Sequence, residues 1–149
     1  MVKKYLITLT ATIFIFSCNE NPEKKEYDES FAITNFKGLP SEIYGCSCYF
    51  SDNEKCFNND EYSFVYNSTD SVAYISINNK KIELKLLSVA GSPNKPNFTK
   101  TYKNDIYTVK VIIKSTKQTG EELSWEEGTL LIEKNGQNFT KKIIGECGC

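Results

Sequence analysis

The chain has 149 residues, 40% of them hydrophobic and 25% charged, with a formal charge of −1. All 18 basic residues are lysine and histidine is absent, which excludes Ser-His-Asp and Cys-His catalysis and every histidine-containing zinc or iron site. No basic patch is implied, so nucleic acid is not an expected partner; carboxylate-pair chemistry, a lysine base or an all-cysteine metal site survive.

At the N terminus, Lys3 and Lys4 precede an apolar run from Tyr5 to Phe16, with the small Ser17 just before Cys18. That is the order of an export signal, and a run of about a dozen residues is short of the roughly 20 that span a bilayer as a helix. Ile15-Phe16-Ser17-Cys18 resembles the lipobox of bacterial lipoproteins, with Ile in place of the commoner Leu and the bulky Phe16 in a slot usually held by a smaller residue. The resemblance implies a signal peptide over 1–17, lipidation of Cys18 and an anchor in the cell envelope. Asn19 is not the Asp of inner-membrane retention, so the outer membrane is the expected location, in either leaflet. Residues 19–30 hold one aromatic and no aliphatic side chain, too little apolar surface to offset ordering, and read with Cys18 as a tether over 18–30. Loss of Lys3 and Lys4 takes the formal charge from −1 to −3. The lysine-only, Asn- and Ile-rich composition resembles that of AT-rich Bacteroidota.

Residues 31–149 form one expected domain, with period two more frequent than 3.6. The predicted strands are Phe31–Phe36, Ile43–Ser51, Glu61–Asn67, Ser71–Asn78, Lys80–Val89, Phe98–Tyr102, Ile106–Ser115, Gly128–Lys134 and Gln137–Gly145. No amphipathic helix is predicted. Asn135-Gly136 has the composition of a two-residue hairpin turn, and Asn78-Asn79 serves the same purpose. The expected fold is therefore all-β, an antiparallel up-and-down meander of about eight to nine strands closing into a small barrel or sandwich. Tyr107, Val109, Val111 and Ile113 form an expected core face, with Lys110 and Lys114 opposite. Ala90 to Asn97 is a proline-rich loop, and Gln118 to Glu127 reads as an acidic loop around Trp125, the single tryptophan.

Two Cys-x-Cys pairs, Cys46-Ser47-Cys48 and Cys147-Gly148-Cys149, each place two sulfurs on one face of a strand. Antiparallel pairing of the segments sets Cys46 opposite Cys149 and Cys48 opposite Cys147, about 4.5 Å apart at Cα, a distance that suits disulfides in an exported protein. A four-thiolate metal site and other pairings that involve Cys56 are the alternatives, although Cys-x-Cys is closer than the usual zinc spacing. Cys56 is the candidate for the unpaired thiol.

Glu121, Glu122, Glu126 and Glu127 around Trp125 carry the composition of a glycosidase site, and equally that of a solvated acidic loop. Sequons stand at Asn67, Asn97 and Asn138, and Asp70-Ser71-Val72 looks like the short O-glycosylation motif of exported Bacteroidota proteins. The order Tyr44-x-Cys46, Phe64-Val65-Tyr66, Ala73 to Leu84 and a terminal cysteine resembles the membrane-bound C-type lysozyme inhibitors over roughly half the mature chain. That resemblance implies a small β-barrel lipoprotein that inserts a loop into the lysozyme cleft. The family's Ser-Gly pair shortly before a Tyr is spread here over Ser88, Gly91 and Tyr102, and paired Cys-x-Cys is foreign to it, so no functional residue carries over. The expectation is a monomeric, non-enzymatic envelope lipoprotein without a cofactor, anchored in the membrane by its lipid, that binds or inhibits a protein partner. A carboxylate-dependent glycan hydrolase or glycan binder and a cysteine-based metal-binding lipoprotein are the alternatives.

Overall fold

A computed structural model describes residues 31–67, 71–93 and 95–149. The signal peptide, Cys18, the tether and Asp70 of the O-glycosylation motif lie outside the described residues. Of these residues 63% are in strands and 4% in helix. The elements are β1 (Phe36–Lys37), β2 (Ser47–Ser51), α1 (Glu54–Asn58), β3 (Glu61–Tyr62), β4 (Phe64–Asn67), β5 (Val72–Ile77), β6 (Lys80–Ala90), β7 (Phe98–Lys103), β8 (Tyr107–Gln118), β9 (Leu123–Lys134) and β10 (Gln137–Gly148). Eight of them form a closed antiparallel barrel in the order β10-β2-β4-β5-β6-β7-β8-β9, while β1 and β3 pair outside it.

Each barrel strand has one face in the interior because apolar residues alternate. Val109, Val111 and Ile113 are buried against Leu130, Ile132 and Ile143, and Tyr107 packs at the edge of the same core, while Lys110 and Lys114 are exposed. Eight strands enclose a space that side chains just fill. At Gly145 a Cβ would lie 2.1 Å from the Tyr49 carbonyl oxygen and 2.7 Å from Phe50 Cδ1, and at Gly128 it would lie 2.4 Å from the Ile112 carbonyl oxygen. Both positions therefore require glycine where neighbouring strands approach closely. The hairpin turns are as read: Asn78, Asn79, Asn135 and Gly136 all have positive φ.

Several boundaries differ from the sequence reading. Residues 31–36 are not a barrel strand. Ile33 makes a single bridge to Ile77, Ala32 and Thr34 bond to the Asn78-Asn79 turn, and Phe31 enters the end of the barrel. There its ring stacks on Phe139 at 3.8 Å and meets Tyr107 at 6.3 Å. Lys141 fixes this plug by donating to the Ile33 carbonyl at 3.0 Å and pairing with Asp52 at 2.7 Å. The barrel strand β2 begins at Ser47 rather than Ile43, and a short helix follows it, capped by the Asn53 side chain, which accepts from the Cys56 N–H at 3.0 Å. The acidic segment is not one loop, because β9 begins at Leu123 and runs through Trp125 and Glu127.

A second cluster covers the outside of β2, β4 and β5. Tyr62, Val65 and Tyr74 are buried there beneath Phe36, Ile43, Tyr49, Phe57 and Val72. Phe57 of α1 meets Tyr49 at 5.6 Å, Tyr62 at 5.9 Å and Trp125 at 4.9 Å. Burial and the neighbouring Asp60 push the Tyr62 phenol up to about 12.

The interior face gives a direct test. Ile113→Ala removes side-chain atoms from a fully enclosed position and should cost about 2–4 kcal/mol, whereas Lys114→Ala should stay within about 0.5 kcal/mol. Urea unfolding of both variants measures the difference.

Candidate binding site

The end of the barrel opposite Phe31 is built on the cysteines. Cys48 and Phe50 face inward from β2, and Cys147 faces inward from β10 in register with Cys48. Disulfides join Cys46 to Cys149 and Cys48 to Cys147, with Cα separations of 3.9 and 4.0 Å, spanning 103 and 99 residues. The antiparallel pairing read from Cys-x-Cys is the one observed. Among the described residues Cys56 is the free thiol, half-buried in α1.

Inside this end lies a cavity of about 440 Å³, lined by the Cys48–Cys147 pair, Tyr66, Phe98, Lys100 and Glu126, with Pro93, Gln118, Glu122, Leu123, Ser124 and Gly148 toward the opening. Strand alternation places the two charged groups inside. Lys100 shares the inward face of β7 with Phe98 and Tyr102, and Glu126 shares that of β9 with Gly128 and Leu130. Glu126 is 7% exposed and its Oε2 has no hydrogen-bond partner. Burial pushes its carboxyl up to about 7, and the positive charge of Lys100 limits the rise. Lys100 is lowered by burial, with Glu126 opposing. Its Nζ lies 4.1 Å from the centroid of the Tyr66 ring, a cation–π contact. Burial also raises the phenols of Tyr66 and Tyr102. Among the described residues no ion pair joins Lys100 to Glu126. The cavity thus holds a cation without a bonded acceptor and a carboxyl that is half-neutral near pH 7, beside the apolar side chains of Phe98 and Leu123.

The residues singled out in the sequence are divided by the barrel wall. Glu122 and Glu126 line the cavity, but Trp125 sits on the outer surface against Phe57, so the tryptophan is no platform for a molecule held inside. The Asn67 sequon side chain is buried, its Nδ2 donating to the Tyr44 carbonyl at 2.9 Å. Tyr102 is a core residue, whereas Ser88 and Gly91 are exposed at the far end of β6. Donor atoms of Cys48, Cys147 and Glu126 lie within 4.8 Å of one another, but the sulfurs are bonded to each other and offer no thiolate. Lys100 and Tyr66 were not singled out by sequence. The period-two placement of Lys100 between Phe98 and Tyr102 is the signal that marks it as inward.

Two expectations follow from this geometry. The disulfides are nested: either one alone closes a loop of about 100 residues, worth about 5 kcal/mol in the chain-entropy account, and the second adds only about 2 kcal/mol. Replacing Cys46 and Cys149 by Ser should therefore cost about 2 kcal/mol, while replacing all four should cost about 7 kcal/mol, comparable to the whole stability of an ordinary domain. Denaturant titration of the three forms would show this non-additivity. For Glu126 the folded carboxyl is raised, so the native state binds the proton more tightly than the unfolded chain, and stability falls as pH rises from about 4.5 to about 7. Glu126→Gln should raise stability by up to about 3 kcal/mol at pH 8 and change it little at pH 4, as measured by thermal unfolding at the two pH values.

No family model, no curated protein and no solved structure matches the chain, so the chemistry of the site is read from its own residues.

Proposed function

We propose that the protein is a non-enzymatic binding module, held at the cell envelope by lipidated Cys18, whose open barrel end takes up a small molecule. The observation that carries this reading is the unpartnered, buried Oε2 of Glu126 inside a cavity that opens at one end. A polar group buried without a partner costs about 1–3 kcal/mol, and a ligand that reaches it removes that cost. Cavities of about 300–1,000 Å³ with few polar groups on apolar walls are the usual form of small-molecule sites. A hydrolytic reading has less support: glycosidases need two carboxyl groups facing each other across the scissile bond, and here Glu122 is exposed on a turn while Glu126 is enclosed.

A second reading, a module that binds or inhibits a protein, is favoured by one observation. Tyr44, Val89 and Leu123 are 69%, 51% and 39% exposed around the open end, an apolar rim of the kind that protein contacts cover.

The address and the binding end are tested separately. Cys18→Ala should abolish incorporation of labelled lipid and release the protein from membranes; normal fractionation and labelling by that variant would refute the anchor. For the binding end, spectra of the isotope-labelled protein titrated with envelope extract should show perturbation at Tyr66, Phe98 and Lys100 and none at Phe31 or Phe139. Perturbation confined to Tyr44 and Leu123 by a protein fraction would favour the second reading, and shifts confined to the outer Phe57–Trp125 face would sink both.

A further inference from the structure

We infer that the cavity selects an amphiphilic monocarboxylate, its carboxylate bridging Lys100 and Glu126 and its apolar body lying against Phe98 and Leu123 toward the mouth. This deepens the small-molecule reading proposed above and rests on it. Lys100 and Glu126 face the same cavity without an ion pair between them, so the space between a donor and an unpartnered carboxyl oxygen is left for a third group. A ligand carboxylate fits both sides: one oxygen accepts from the Lys100 ammonium, and the other accepts the proton of Glu126, a charge-assisted hydrogen bond.

Charge decides between ligand classes. With Glu126 protonated, the interior carries the single positive charge of Lys100, and one ligand carboxylate makes the enclosed set neutral, the condition that burial favours. An amine would add a second cation beside Lys100. A dianion would leave an uncompensated negative charge and pass Glu122 at the mouth. A neutral alcohol would leave Lys100 without a counter-ion. The apolar part has its own place, since Phe98 is buried at the cavity wall and Leu123 is 39% exposed at its edge.

The bridge needs the proton on Glu126. The titratable and charged groups that share the cavity or act on this carboxyl are Lys100 from β7, Tyr66 from β4 and Glu122 from the β8–β9 turn, with Tyr102 alongside Tyr66; the disulfide contributed by β2 and β10 does not titrate. Burial holds the Glu126 carboxyl at about 7, so the competent form predominates below that pH and disappears above it.

The experiment is calorimetric titration of the lipoprotein in nanodiscs with octanoate, octanol and octylamine at pH 6 and pH 8.5, with empty nanodiscs as the blank. Octanoate should bind in preference to both other probes, and about thirtyfold more tightly at pH 6 than at pH 8.5, the ratio of the protonated fractions for a group titrating near 7. In Glu126→Gln, whose amide still donates, octanoate affinity should become independent of pH. Lys100→Met, which keeps the apolar stem, should weaken octanoate at least about tenfold at both pH values and leave octanol unchanged. Amide spectra of each variant establish that it is folded. Octanol or octylamine binding as tightly as octanoate, or a pH dependence that persists in Glu126→Gln, would overturn the monocarboxylate inference and leave the cavity reading intact. Failure of all three probes to bind would remove both.

Discussion

The contact between β10 and β2 is the constraint on which the rest of the barrel depends. Seven of the eight barrel pairings join barrel strands that follow one another along the chain, but this one joins the last barrel strand to the first. Without it the sheet has two open edges and no enclosed interior. Its five paired positions from Ile144–Ser51 to Gly148–Ser47 are few beside the twelve that join β9 to β10, and loop closure over about 100 residues opposes it entropically. The two disulfides lie at this seam. They hold this pairing at the open end of the barrel, while at the other end Phe31 and Lys141 bind the wall from within and from the side.

The same seam shapes the cavity. Toward Phe31 the interior is filled by isoleucine, leucine, valine and aromatic side chains. Toward the mouth the lining includes the Cys48–Cys147 disulfide and Gly148, which occupy little volume, and Lys100 and Glu126 reach inward there. Two charged groups in a barrel interior oppose folding, because desolvation disfavours both. The fold tolerates them by local means: the Tyr66 ring beneath the Lys100 ammonium, a proton available to Glu126, and a covalent closure of the surrounding wall. Stability is given up at the site and restored at the seam next to it, the pattern expected where a local rule is broken for function.

Much of this architecture was legible in the sequence. Alternation in Tyr107 to Ile113, the Asn-Gly turn and the two Cys-x-Cys pairs specify strand faces, hairpins and the closing register through backbone geometry, which acts locally. The errors arose where tertiary context overrides a local pattern. Phe31, Ala32 and Ile33 alternate like a strand, yet the barrel end uses Phe31 as a plug. Residues 121–127 look solvated by composition, yet Trp125 and Glu126 point to opposite sides of a barrel wall, and only closure determines that one of those sides is buried. Helix α1 is too short for periodicity to reveal, although Asn53 followed by Glu54 is a capping signal. The site itself was the least legible part, because a lysine and a glutamate on alternating strands read as solvent-facing until the interior exists.

The polarity of the barrel relates the site to the proposed anchor. The described chain enters at the plugged end, where Phe31 stacks on Phe139 beside the turns of Asn78-Asn79 and Asn135-Gly136, and the cavity opens at the end where β8 passes into β9 and where Cys149 lies. A lipid at Cys18 would therefore be joined to the end of the barrel that is closed. The dozen residues between Cys18 and Phe31 can span at most about 40 Å when extended, enough to let the barrel stand clear of a bilayer with its mouth directed away from it. A reversed arrangement, with the chain entering beside the mouth, would set the tether in competition with any ligand for the opening. The plug and the proposed anchor would thus make one demand on the chain before β1, that it close one end of the barrel and leave the other accessible, and the apolar ring of Phe31 meets it.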